Sequence, residues 1–280
     1  MREKIPFADL ALARRLERAE GAACAQFAEA RRKLFPESGS EWMECGGAYV
    51  VFDGVDSPVT QTFGLGVLEE LSAVTLDRVE KFFQERGAQV MHEVSPLAGV
   101  ATLDLLCARK YRPIEISSVL YRPVEKPFTS TQLGVATSQS NIKIRVTRSD
   151  ESGLWSDVSA RGWGHDHPEF IPFLRQFGVV AAARKESICF LGEVDGQVGA
   201  AAALSIHEGV ALLGGSATVP ELRRKGLHAA LLEERMRYAC DHGCDLALMV
   251  AMAGSDSQRN AERKGFRVAY TRMKWQLFSE

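Results

Sequence analysis

The chain contains the same order of helices and strands twice, and this repeat limits its possible folds more than any other feature. In the first half, a helix predicted at 75–86 ends at Gly87 and is followed by a strand, a second helix and another strand. In the second half the same order follows a helix that ends at Gly243, an offset of about 155 residues. The short sequence Ala108-Arg109-Lys110 is echoed by Glu262-Arg263-Lys264. We therefore predict two related halves that arose by internal duplication.

Each half has further predicted elements ahead of the repeated segment. The first half begins with a helix at 9–33, which Asp9 would cap, and continues with two strands at 48–52 and 59–67. The second half contains an antiparallel meander whose hairpin turns are an Asp-Gly and a Glu-Gly dipeptide. Its predicted strands lie at 142–146, 187–194, 198–206 and 210–218, and its helices lie at 153–161 and 168–183. This mixture of elements predicts an α/β protein.

The segment 216–230 has the features of an anion-binding site. An apolar strand leads into a turn with three consecutive cations, Arg223-Arg224-Lys225, and Gly226 then precedes a helix that begins at Leu227. The first N–H groups of a helix lack intrahelical partners and together carry roughly half a positive charge, so they attract a phosphate. Gly226 has no β-carbon to obstruct a pyrophosphate that approaches the backbone.

The same segment resembles a family motif. Arg223-Arg224-Lys225-Gly226-Leu227-His228 is similar to the acyl-CoA-binding pattern Gln/Arg-x-x-Gly-x-Gly/Ala of the GNAT superfamily of N-acetyltransferases. His228 departs from the pattern at its last position, and Ala229 follows at once. The order of elements downstream, with Gly265-Phe266 opening a final strand pair, also resembles the family. The resemblance covers the C-terminal half of the chain.

This resemblance implies a fold and a division into domains. The fold would be α/β, with two tandem GNAT-like (acyl-CoA N-acyltransferase) domains, each a mixed, mostly antiparallel sheet flanked by helices. Residues 1–125 would form a degenerate domain, 126–140 a linker, and 141–280 an acetyl-CoA-binding domain. In the first copy the segment 68–74, which contains two glutamates, replaces the basic loop, and its charge would repel a pyrophosphate.

The resemblance also implies acetyl-CoA as co-substrate. Its pantetheine arm would pair with the backbone at Thr218 and Val219, in the gap where a bulge splays this strand from the next one. Gly214 and Gly215 are suited to such a bulge. The residues predicted to hold the cofactor are Thr218, Val219, Arg223, Arg224, Lys225, Gly226, Leu227, His228, Ala229 and Asn260.

The catalytic residues are less clearly marked. Acetyl transfer needs a neutral amine, an oxyanion donor and a proton for the leaving thiolate. Some family members carry a glutamate base on the strand before the loop, which here has no carboxylate, so the candidate base is Glu208, with His207 and Glu193 as alternatives. Tyr270 is the candidate acid, and Asn260 would hydrogen-bond the pantetheine or the thioester. A solvated turn for Glu208 and core packing for Tyr270 are the competing interpretations.

The predicted activity is direct transfer of an acetyl group from acetyl-CoA to a primary amine of a small molecule or peptide. Direct transfer is preferred to an acyl-cysteine because Cys189 is predicted in a buried strand, and Cys240 and Cys244 flank a helix end. The alternative is a catalytically silent CoA-binding regulatory module. A site for another nucleotide is disfavoured because the loop lacks the Gly-Lys-Ser/Thr sequence of phosphate-binding loops.

Composition excludes several other classes. A net charge of −2 gives no electrostatic reason to expect a nucleic acid or an anionic membrane as partner. The six cysteines lack paired Cys-x-x-Cys spacing, and His165-Asp166-His167 has no third spaced ligand, so no metal site is predicted. Arg14, Arg15 and Arg18 interrupt the apolar positions near the N-terminus, so we expect no signal peptide or membrane span and place the chain in the cytoplasm.

Overall fold

The computed structural model describes residues 5–126, 128 and 141–278, which form two compact units. The first unit draws on Met1–Arg122 and Leu248–Glu280, and the second on Pro123–Ala247. The helices are α1 (Leu10–Leu34), α2 (Ala73–Gln84), α3 (Val100–Ala108), α4 (Ser152–Trp163), α5 (Ile171–Ala182), α6 (Leu227–Asp241) and α7 (Asp256–Arg263). The strands are β1 (Glu41–Cys45), β2 (Ala48–Phe52), β3 (Gln61–Phe63), β4 (Met91–Val94), β5 (Tyr111–Pro123), β6 (Ile142–Val146), β7 (Ser187–Val194), β8 (Gln197–His207), β9 (Val210–Thr218), β10 (Leu246–Met252) and β11 (Arg267–Leu277).

The first unit is a sheet with the strand order β1-β2-β3-β4-β11-β5-β10, covered by helices. The helix α1 begins as predicted at Asp9, whose carboxylate accepts the Leu12 N–H at 2.9 Å. On α2 the buried residues follow the helical period, and they pack into an apolar core with β2, β4 and β11. The buried members of α2 are Leu76, Val79, Phe82 and Phe83.

Two strands of this unit differ from the sequence prediction. The strand β1 was not predicted, because its alternation of partly buried and polar residues gives a weak hydrophobic pattern; it pairs with β2 through a turn at Gly46 and Gly47, both at positive φ. The strand predicted at 59–67 is confined to β3, because Gly64 and Gly66 also adopt positive φ and end the extended backbone.

The C-terminal strand corrects the prediction of a final strand pair after Gly265-Phe266. A single strand, β11, follows, and it pairs antiparallel with β4 on one side and β5 on the other. Both neighbours come from the first half of the sequence, and they satisfy both edges of β11. For this reason the residues from Leu248 onward group with the N-terminal half, whereas the predicted boundaries assigned them to the second domain. Of the predicted linker at 126–140, only residues 126 and 128 are described.

The second unit contains the predicted meander. The strands β9, β8, β7 and β6 lie side by side and antiparallel, and the predicted limits of β6, β7 and β9 are confirmed. The helix α4 packs against α5 and against β8 and β9, and α6 packs on β7, β8 and β9. The buried alanines Ala200–Ala203 of β8 let these helices approach the sheet closely. Within the described residues, no helix has both the length and the apolar character needed to cross a membrane.

Candidate functional site

The loop between β9 and α6 is anchored on its apolar side. The Val219 N–H donates to the Gly199 carbonyl at 2.9 Å, and Leu222 is buried. A β-carbon at position 199 would lie 2.2 Å from Leu222 Cδ1, so the glycine there makes room for the loop. The apolar anchor leaves the three consecutive cations on the exposed side of the loop.

The N-terminus of α6 is open. Gly226 is its N-cap residue, with a φ of 90°, and none of the side chains that the structure describes caps the helix. Its first turn contains no acidic residue, so the positive end of the helix dipole is not neutralised locally. Arg224 adopts a φ of 62°, a strained conformation for a residue with a β-carbon. The sequence prediction of a strand, a basic loop and a helix N-terminus in succession is confirmed.

Arg223 ties the loop to the end of α4. Its Nη2 donates to the Gly162 carbonyl at 3.0 Å, and its Nε donates to the Thr218 carbonyl at 3.2 Å. A β-carbon on Gly162 would lie 2.8 Å from Ala217 Cβ, so α4 meets β9 in close contact here. Because the Arg223 guanidinium is engaged with backbone carbonyls and His165, the charge offered to an anion comes mainly from Arg224 and Lys225, which are exposed.

His228 contacts the strand that precedes the loop. Its Nδ1 lies 3.2 Å from Ser216 Oγ, within hydrogen-bonding distance. The sequence predicted His228 as a cofactor-binding residue but gave no reason to pair it with Ser216. The contact arises from the reversal of the chain between β9 and α6, for which no local pattern exists.

The predicted bulge in β9 is confirmed. Between the pairs Ala201↔Ala217 and Ala203↔Gly214 the register shifts, so that one residue of β8 faces two of β9. One of these two, Gly215, has a φ of 60°, which glycine adopts without strain. The predicted pairing of pantetheine with Thr218 and Val219 stays a prediction; the Val219 N–H already donates within the protein.

Glu208, the candidate base, lies in the turn between β8 and β9. It is exposed and has a φ of 45°. The strand β9 separates it from Thr218, and at about 3.3 Å per residue a strand of this length spans roughly 25–30 Å. Its alternatives are also peripheral: His207 ends β8, and the Glu193 carboxylate lies 3.6 Å from Lys143 Nζ. The identity of the base stays a prediction.

Tyr270 and Asn260 lie in the first unit. Tyr270 is buried in β11, and its hydroxyl donates to Glu17 Oε1 at 2.8 Å. Burial, and then the neighbouring Glu17 carboxylate, raise the pKa of Tyr270 well above its usual value. Asn260 is exposed on α7. Their predicted roles as acid and as hydrogen-bonding partner of the cofactor stay predictions.

The hydroxyl of Tyr270 belongs to a buried ionic cluster that sequence reasoning missed. Arg272 Nη1 lies 2.6 Å from Glu20 Oε2 and 3.3 Å from Glu17 Oε1, and Arg272 Nε lies 3.1 Å from Glu93 Oε2. Burial alone would lower the pKa of Arg272, and the three carboxylates outweigh it and raise that pKa well above its usual value. The partners come from α1, β4 and β11, so no local spacing could have indicated the cluster.

In the first half, side chains of the protein occupy the backbone groups at the N-terminus of α2 and in the segment after β3. Ser72 caps α2 by accepting the Thr75 N–H at 3.1 Å. In the segment after β3, the Gly64 N–H donates to Glu17 Oε2 at 3.2 Å, and the Val67 carbonyl accepts Arg14 Nε at 2.9 Å. These backbone groups are therefore occupied within the protein.

The described residues form neither a metal site nor a site with an activated cysteine. Over the described ranges, no group of three His, Cys, Asp or Glu side chains is arranged to hold a metal ion. The Nδ1 of His165 lies 3.0 Å from Asp166 Oδ2. Cys189 and Cys244 are buried, and burial raises the pKa of each thiol, that of Cys244 to about 11.

A comparison with protein families finds a match within the second half of the chain. Residues 153–266 match the acetyltransferase (GNAT) family. The matched range covers 114 of the 280 residues of the chain. The match includes the β9–α6 loop and the bulge of β9, and the GNAT family and fold support acyl transfer as the class of chemistry. No curated protein matches the chain.

Solved structures share the fold over most of the chain. A GCN5-related N-acetyltransferase from Kribbella flavida has a TM-score of 0.63 and 17% identity, with 92% of this chain and 96% of that chain covered. A tandem GNAT protein from the clavulanic acid biosynthesis pathway has a TM-score of 0.59 and 13% identity, covering 84% and 80%. A GCN5-related N-acetyltransferase from Sphaerobacter thermophilus has a TM-score of 0.53 and 14% identity, covering 96% and 91%. The predicted fold class of tandem GNAT-like domains is confirmed.

Proposed function

We propose that this chain transfers an acetyl group from acetyl-CoA directly to a primary amine of a small molecule or peptide. The observation that carries the proposal is the open N-terminus of α6 at the end of β9, with Gly226 as its N-cap residue and two exposed cations beside it. A pyrophosphate needs backbone N–H groups, positive charge and space, and this junction offers all three. The GNAT domain supports an acyl-CoA as the ligand.

The chemistry proposed is a single displacement. The neutral amine nitrogen attacks the thioester carbonyl carbon, the C–S bond breaks, and the sulfur leaves as a thiolate that takes up a proton. The attacking nitrogen releases its proton to water or to a protein base. An acyl-cysteine route is not favoured, because Cys189 is buried and its raised pKa keeps the thiol protonated.

Binding is tested first. Thermal unfolding is measured with and without millimolar acetyl-CoA, with ATP as the control phosphate ligand. A ligand at 100 times its dissociation constant adds about 2.7 kcal/mol to the native state, which raises Tm by a few degrees in a chain of this size. A shift with acetyl-CoA and not with ATP supports the proposal. Equal shifts with both ligands, or no shift with either, contradict it.

Turnover is tested next. Release of free CoA thiol is followed with a panel of primary amines that includes polyamines, amino acids and lysine peptides. Amine-dependent thiol release is the expected result. Tight CoA binding without thiol release across the panel would instead support a catalytically silent regulatory module.

The loop itself is tested by charge reversal. Arg224→Glu with Lys225→Glu should weaken acetyl-CoA binding at least about tenfold, because each reversal replaces an attraction with a repulsion at the pyrophosphate. The matched control is Lys143→Glu with Lys185→Glu, which changes the net charge equally at exposed positions outside the loop. Equal affinities of the two double variants would refute the assignment of the loop.

A further inference from the structure

The bulge of β9 interrupts the regular pairing of β8 with β9. One residue of β8, Ala202, faces two residues of β9, Gly215 and Ser216. A buried carbonyl without a donor is costly, so a bulge next to packed helices requires side-chain donors. Two such donors are present, and they come from different helices.

The first donor is Trp155 of α4. Its indole Nε1 donates to the Ala202 carbonyl at 3.1 Å, and the side chain is buried. The ring also lies against the bulge, because its Cη2 would be 3.9 Å from a β-carbon placed on Gly215. Trp155 therefore contacts both strands at the position where their register shifts.

The second donor is Arg235 of α6. Its Nη1 donates to the Ala203 carbonyl at 3.2 Å and to the Gly214 carbonyl at 3.3 Å, so one nitrogen bonds to both strands at the first pair beyond the bulge. Its Nε donates to the Leu231 carbonyl at 3.2 Å. The planar guanidinium fixes these directions together, which an ammonium group would not do.

Arg235 is an unusual residue for a purely structural contact. It is 1% exposed, no carboxylate pairs with it among the described residues, and its Nη2 has no hydrogen-bond partner there. Burial lowers its pKa to about 10. A buried charge without a counter-ion is destabilising, and an apolar side chain of similar size would avoid that cost. The position of Arg235 beside the bulge gives a reason for its presence.

We infer that Arg235, together with Trp155, holds the bulge of β9 in its shifted register and is thereby a positioning residue for the acyl-CoA site. The inference rests on the proposed function in one respect: the acyl-CoA would bind at the end of β9, at Thr218, close to the bulge. Arg235 is buried on α6 and acts through its hydrogen bonds to the backbone carbonyls of Ala203 and Gly214. The bracing of the bulge does not depend on the identity of the ligand.

The test compares Arg235→Met with the wild-type chain. Methionine keeps most of the volume and removes the charge and the donors. The loss of the buried charge stabilises the folded chain and the loss of the donors destabilises it, so the chain is expected to fold with a Tm close to that of the wild type. Without the guanidinium the two carbonyls lose a donor, and local opening becomes easier. Amide hydrogens of residues 201–204 and 213–217 should then exchange at least about tenfold faster, while those of β7 keep their wild-type rates. Acetyl-CoA affinity should fall at least tenfold.

Two further variants complete the experiment. Met236→Leu changes the buried residue next to Arg235 in the sequence and keeps the hydrogen bonds of Arg235 to the strand carbonyls. Its amide exchange rates and its affinity for acetyl-CoA should match those of the wild type. Trp155→Phe keeps a smaller aromatic ring and removes the indole donor, and it should also speed exchange around the bulge. It provides the test if Arg235→Met does not fold.

The exchange measurement tests the inference, and the affinity measurement tests the proposed function. Unchanged exchange at the bulge in a folded Arg235→Met or Trp155→Phe variant overturns the inference, whatever the wild type binds. If the wild type shows no affinity for acetyl-CoA, the proposed function fails, and the exchange rates of the unliganded protein still decide whether Arg235 braces the bulge.

Discussion

Replacing His92 by glutamine should change the pH dependence of stability in a defined way. His92 is fully buried on β4, and its Nε2 lies 3.0 Å from the Tyr111 hydroxyl. That hydroxyl donates to Glu80 Oε1 at 3.1 Å, so its oxygen accepts from His92 and the proton of the neutral ring is on Nε2. The other nitrogen, Nδ1, is buried without a partner among the described residues. A second proton on the ring would therefore have no acceptor.

The magnitude follows from the pKa. Burial lowers the pKa of His92 from 6.5 to about 3. The unfolded chain takes up a proton as the pH falls below 6.5 and the folded chain does not, so the contribution of His92 to stability is present above pH 6.5 and is lost progressively toward pH 3. By linkage the loss relative to pH 7.5 is about 2 kcal/mol at pH 5.

The assay is urea unfolding of the wild type and of His92→Gln at pH 7.5 and pH 5.0. Glutamine can donate to Tyr111 and does not titrate, so other groups cancel in the comparison. The stability difference between the two proteins should shift by about 2 kcal/mol in favour of the variant at pH 5.0. His167→Gln is the control, because His167 is exposed, and it should follow the wild type. A difference that is the same at both pH values would refute the reasoning.

Three further substitutions test the ionic cluster and the two helix N-termini. Arg272→Met leaves three carboxylates without their cation and should lower the free energy of unfolding in urea by about 3–5 kcal/mol. The control Arg259→Met, at an exposed ion pair, should lower it by about 0.5 kcal/mol or less. Equal losses would contradict the stabilising role of Arg272 in the cluster. Ser72→Ala removes the cap of α2 and should cost about 1 kcal/mol, measured in the same way, and no loss would mean that the cap is dispensable. Gly226→Ala forces a β-carbon into a backbone with a φ of 90° and should cost about 1–2 kcal/mol in thermal unfolding, and an unchanged Tm would argue against that conformation.

Local signals in the sequence predicted much of the second unit. The limits of β7 and β9 follow from apolar runs that end at Asp-Gly and Pro signals, because a turn residue and a change in hydrophobicity coincide there. The bulge was predictable because two adjacent glycines inside a strand have few other uses. The basic loop was predictable because its chemistry lies within a few consecutive residues.

Features that depend on distant pairing could not be predicted. The neighbours of β11 are strands from the other end of the sequence, and a strand's own pattern does not indicate which edge it joins. The bond from Tyr270 to Glu17 and the bonds from Arg235 to two strand carbonyls have the same origin. In the sequence Arg235 lies among polar helix residues, and only the packing of α6 on the bulge makes it a buried donor.

The helix N-termini of α2 and α6 occupy equivalent places in the two halves, but their residues differ. The differences lower the stability of the second half. In the first half Ser72 caps α2, whereas α6 has Gly226 at its N-cap, which is less favourable than serine by roughly a few tenths of a kcal/mol. The second half also holds Arg224, near Gly226, at positive φ, and farther along α6 it buries Arg235 with no counter-ion among the described residues. Each of these features costs stability, and strained or unsatisfied groups of this kind concentrate at functional sites. Their concentration at one strand–helix junction supports placing the proposed acyl-CoA site in the second half and not in the first.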